Sequence, residues 1–129
     1  MQIAIHPTLH SALRACSDIE RQIVAISRRS DAQRKFDLVQ WRRKFAEKLG
    51  ELGLLIDHDD ALSRQPEKLR EMSRLFSTFR YAIGLHQASW PAVRIDEDER
   101  AYAESARNTH VKSDQFWNWC TQNLTFSRV

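Results

Sequence analysis

A chain of 129 residues, 42% apolar and 29% charged, carries enough apolar material for a core and does not have the composition of a disordered tail. Its formal charge is only +3, made by 20 basic groups against 17 acidic ones, so charge alone does not mark it as a nucleic-acid binder. Two cysteines, three glycines and three prolines rule out a disulfide framework and a glycine-rich phosphate loop, and they leave few turns between long elements.

The spacing of apolar residues predicts four helices, over about residues 8–29, 31–57, 66–89 and 97–121. The expected fold class is all-α, a single-domain antiparallel four-helix bundle. The first helix opens beside Pro7, whose missing N–H suits a first turn. Leu9, Leu13, Cys16, Ile19 (or Glu20), Ile23 and Ile26 then recur at spacings of three and four. Ser30-Asp31-Ala32-Gln33 reads as a capping box, which places a break there; a single long bent helix is the alternative.

In the second helix, Leu38, Trp41, Phe45, Leu49, Leu52 and Ile56 form one wide stripe. Phe36 and Val39 fall off that stripe and suggest a second packing surface. Asp57 to Pro66 reads as a solvated linker. The third helix has the most regular seam: Leu69, Met72, Phe76, Phe79, Ile83, His86 and Trp90 step by alternating threes and fours. Trp90-Pro91 stops it, because the residue before proline is pushed out of the helical region.

A second linker leads to Asp96, read as the cap of the fourth helix with Glu99 three residues on and Ile95 as a staple. Tyr102, Ala106, Thr109, Ser113, Phe116 and Cys120 share one side of that helix. The tail after about residue 122 is expected to be frayed or extended. Cys16 and Cys120 read as buried thiols used as small hydrophobes, although a bond between first and last helices is possible. Residues 1–7 lack a basic stretch followed by an apolar core, and no run of about 18 apolar residues occurs, so a cytoplasmic chain without membrane contact is expected.

The residues offer three candidate chemistries. His58, His86 and His110 lie in or beside three different helices and could hold a metal or a haem edge, His86 from a seam position. The chain has no Glu-x-x-His of the kind a di-iron bundle needs, so a structural imidazole is the simpler reading and no cofactor is predicted. Arg28, Arg29, Arg34, Lys35, Arg42, Arg43 and Lys44 could contact phosphates, but they surround their helix instead of forming one stripe. The cluster at Asp57 to Asp60 could adjust an imidazole for acid–base work, yet no nucleophile or oxyanion donor accompanies it, and catalysis is not the expected role.

The leading expectation is a protein-interaction or regulatory module, self-associating as a homodimer. Its apolar anchors would be Phe36, Trp117 and Trp119, rimmed by Arg42 and Arg43, since Trp and Arg dominate binding hot spots. Nucleic-acid binding comes second and a metal or haem bundle third. Another protein is a further candidate partner.

Overall fold

The computed structural model describes residues 1–128. They form α1 (Pro7–Ser27), α2 (Arg34–His58), the short α3 (Asp60–Ser63), α4 (Pro66–Ser89), a 3₁₀ turn (Ala92–Arg94) and α5 (Glu99–Asn123). Among the described residues there is no strand, only an isolated parallel bridge between Ile3 and Leu124. The fold is all-α, with the four long helices packed as antiparallel neighbours. The ends show the arrangement: Ile3 meets Leu124 at one end, while Arg34 reaches Glu99 at the other.

Local chemistry explains each boundary. Pro7 occupies the first turn of α1, and the ring Nδ1 of His6 accepts the N–H of Thr8 at 3.0 Å. A helix leaves its first N–H groups without internal partners, and this ring takes one of them. The break between α1 and α2 falls where expected, so the single long helix is excluded. Its mechanism differs from a capping box, however. The Asp31 carboxylate accepts the N–H of Gln33, and Arg29 clamps Asp31 at 2.7 and 2.6 Å while reaching Asp37 at 2.9 Å.

The expected linker after α2 is mostly helical. Asp59, read as a solvated linker residue, is buried. Its carboxylate caps α3 by accepting the N–H of Leu62 at 3.1 Å, and its other oxygen accepts the N–H of His6 at 2.9 Å. One side chain thus ties the start of the chain to the α2–α3 junction. Asp98, not Asp96, caps α5, accepting the N–H of Ala101 at 3.0 Å. Asp96 pairs instead with Lys35 at 2.8 Å, and Ile95 is buried beneath the 3₁₀ turn.

The stripes read from the sequence make the core. Leu13, Cys16, Leu38, Leu52, Met72, Phe79 and Phe116 have no exposure left. Phe79 lies at the centre, stacked on Phe116 at 5.3 Å between centroids and edge-on to Trp117 at 6.0 Å. Both cysteines are buried and free. The C-terminal tail is extended and pinned, not frayed. Ile3 donates its N–H to the Asn123 carbonyl at 2.8 Å, and Thr125 donates its own to Ile3 at 2.9 Å. That pairing carries Phe126 onto the Trp117 ring, 5.9 Å away. Among the described residues no helix is long and apolar enough to cross a membrane.

Candidate functional site

Two regions stand out from the plain packing of a bundle. The first is interior. Glu20, and not Ile19, takes the deeper place on the buried side of α1. Ser113 and the indole N–H of Trp117 both donate to its carboxylate, the latter at 3.0 Å. Arg128 approaches from the tail, with Nη2 3.5 Å from Glu20 and Nε donating to Ser17 at 3.1 Å. A buried carboxylate is costly unless its oxygens are partnered, and here two donors from α5 and one from the tail supply that.

Above Glu20 lies a small cavity of about 60 Å³, lined in part by Arg42, His86, Tyr102, Thr109 and His110. His86 is stacked on Tyr102 at 5.5 Å, and its Nδ1 is 2.7 Å from the Ser105 hydroxyl. Burial holds the imidazole well below its ordinary range, at about 4, with the Arg42 guanidinium and His110 adding to the effect. Ligand pockets usually run to about 300–1,000 Å³, so a haem would not fit here without the helices parting.

The second region is the outer side of α2. Phe36 is 61% exposed, Val39 44% and Leu54 65%. Phe36 and Leu54 are five helical turns apart and point the same way, about 27 Å from each other at 1.5 Å per residue. Arg43 and Glu47 lie between them on that side, both exposed. Neither makes an ion pair among the described residues. Gly50 sits on the same side, where an added Cβ would meet nothing nearer than Arg80 at 3.7 Å.

The expected sites are only partly assembled. Phe36 and Arg43 are both exposed on the outer side of α2. Trp117 and Trp119 do not serve as surface anchors: both are buried, Trp117 completely. Residues two apart point about 200° from each other on a helix, but the chain termini wrap this end of α5, and Ile3, Ile5, Leu124 and Phe126 join one apolar cluster with both indoles. Arg42 is also drawn inward, donating to the Trp90 carbonyl at 2.8 Å.

His86 and His110 border one cavity, whereas His58 caps the far end of α2 with Nδ1 2.8 Å from the Leu54 carbonyl. Among the described residues no group of three or more His, Cys, Asp or Glu converges as metal ligands. Of the basic residues considered for phosphate contact, Arg29, Arg34, Lys35 and Arg42 are engaged internally. Arg34 is itself buried, bonded to Glu99 at 3.1 Å and to the Ser27 carbonyl at 2.6 Å. Arg28 and Arg43 stay exposed, and Lys44 lies over the Trp41 ring at 4.2 Å.

Leu54 is the surface residue that sequence reading passed over. It stands in the run Leu54-Leu55-Ile56 and looks like part of the core stripe. Its register, five full turns from Phe36, is the signal that places it on the outer face. Compared with protein-family models, curated proteins and solved structures, the chain matches none. The fold and these regions define its class: an all-α bundle with an internal acid–aromatic network and, on the outer side of α2, exposed Phe36, Val39 and Leu54 among charged residues.

Proposed function

We propose that this protein is a helical interaction module that self-associates through the outer face of α2. The observation that supports the reading is the alignment of Phe36, Val39 and Leu54 in the open along one helix, with exposed charged groups between them. Large apolar side chains scattered singly on a surface are ordinary; here Phe36 and Val39 stand one turn apart, and Leu54 repeats the wheel angle of Phe36 five turns on. The groove between α4 and α5 is the competing surface, with exposed Tyr81 and Leu85. Those two residues span a single turn, and among the described residues Lys112 is the one Lys, Arg, Asp or Glu lining the groove, so a second copy would meet no opposite charge from that lining.

A contact along one helix face is small beside stable interfaces of about 800 Å² per partner, so the association is expected to be reversible and micromolar. Sedimentation velocity across a concentration series tests it. The wild type should move from monomer to dimer, and a Phe36→Glu, Leu54→Glu variant should stay monomeric and folded, because both sites are exposed. A wild type that remains monomeric up to about 1 mM, a concentration at which even weak pairs associate, overturns the reading.

A further inference from the structure

We infer that the two copies pair α2 against α2 in antiparallel fashion about a two-fold axis level with residue 45, so that Phe36 faces Leu54 of the partner subunit and Arg43 faces the partner's Glu47. This deepens the self-association reading and rests on it. The carrying observation is that α2's outer face is complementary to its own reversal. A two-fold axis makes every contact occur twice with the partners exchanged, so only a self-complementary patch can close such a pair.

Phe36 and Leu54 are equidistant from residue 45 and share one wheel angle. An antiparallel copy therefore sets each aromatic ring against a leucine. Arg43 and Glu47 are likewise equidistant from residue 45 and lie within about 20° of the same angle. The reversed copy brings each guanidinium to a carboxylate, twice. A parallel copy would instead set Arg43 against Arg43 and Glu47 against Glu47, which is repulsive.

Within one chain Arg43 precedes Glu47 by four residues, the less favourable order for a pair on one helix, so both groups remain available across the contact. Gly50, which falls opposite Gln40 of the partner subunit, has no side chain of its own, and the Arg80 guanidinium lies beside it, 3.7 Å from where a Cβ would stand. Charge complementarity here sets register and partner choice, while the apolar pairs hold the copies together.

The test combines charge exchange with cross-linking. Arg43→Glu and Glu47→Arg should each weaken the homodimer at least tenfold. Mixing the two variants, or combining both substitutions in one chain, should restore a dimer. Gln40→Cys with Gly50→Cys should cross-link under mild oxidation, since the antiparallel register sets residue 40 opposite residue 50 of the other copy. Gly50 tolerates the added Cβ, and the native thiols are buried and do not compete.

Gln40→Cys alone should give no cross-link, because the two copies of residue 40 would lie about 15 Å apart along the axis, well beyond disulfide reach. A dimer that cross-links through Gln40→Cys alone is parallel, which overturns this register and leaves self-association standing. A dimer indifferent to both charge reversals and to the cysteine pair overturns the register and the α2 surface together. A monomer overturns self-association itself.

Discussion

Removal of the Glu20 side chain is the sharpest test of the interior. Glu20→Ala would leave two donors, the Trp117 indole N–H and the Ser113 hydroxyl, buried without their acceptor. Each buried donor left unpartnered costs about 1–3 kcal/mol. Losing the side chain also opens space against the cavity and frees Arg128 from its acid. Relief from holding a carboxylate out of water offsets part of this. The expected net loss is about 3 kcal/mol, roughly 10 °C in melting temperature for a chain of this size.

Glu20→Gln keeps one carbonyl acceptor and nearly the same shape, and the Ser113 hydroxyl can turn to accept from the new amide. It should cost about 1 kcal/mol, close to the worth of one ordinary hydrogen bond. Urea denaturation followed by tryptophan fluorescence and by circular dichroism measures both variants. A double-mutant cycle with Ser113→Ala should show non-additivity, since Ser113 and Glu20 share one network. Alanine within about 0.5 kcal/mol of wild type, or as mild as glutamine, would refute the network as a source of stability.

Two further outcomes follow from the same structure. His86 stays neutral in the folded protein down to about 4, while the unfolded chain takes up its proton near 6.5. The unfolded state then binds more protons between those values, so stability falls as pH drops from 6.5 to 4, by at most about 3 kcal/mol, and this group contributes no slope above pH 6.5. Denaturation of wild type and His86→Gln across that range should show the slope in the first and a reduced one in the second; parallel curves would contradict it. Asp59→Ala removes the cap of α3 and the anchor of His6, and should cost about 1–2 kcal/mol. Limited proteolysis should then cut near residues 1–6 sooner than in the wild type, and unchanged cleavage would argue against the tether.

Most of the helical frame was legible because apolar spacing reports directly on which side of a helix meets the core. The seam of α4 from Met72 to Ile83 is buried as its periodicity requires, and Pro7 and Pro66 mark true helix starts. The caps were less legible, since Asp31, Asp59 and Asp98 each stand beside other capable residues and only the local turn decides between them. Of the tail, only its extended course was legible, not its anchoring. The Ile3–Leu124 bridge joins residues at opposite ends of the chain, and no local pattern announces such a contact.

Missing that bridge led to the misplacement of Trp117 and Trp119. A two-sided helix reading treats an indole opposite the main seam as exposed, whereas the wrapped termini give this end of α5 a second apolar wall. Phe36 was readable for the opposite reason: among the described residues no segment folds back over it, and it stays 61% exposed. Glu20 shows the limit of periodicity most plainly. The wheel could not choose between it and Ile19, because the deciding partners, Ser113, Trp117 and Arg128, come from far along the chain.

The claim that copies of the chain meet on α2 is tested most directly by following backbone amide chemical shifts as the protein concentration is raised. The account predicts concentration-dependent shifts or broadening at Phe36, Val39, Arg43, Glu47 and Leu54, with the α4 positions Tyr81 and Leu85 unmoved. Changes centred on Tyr81 and Leu85, or a spectrum indifferent to concentration, would contradict it.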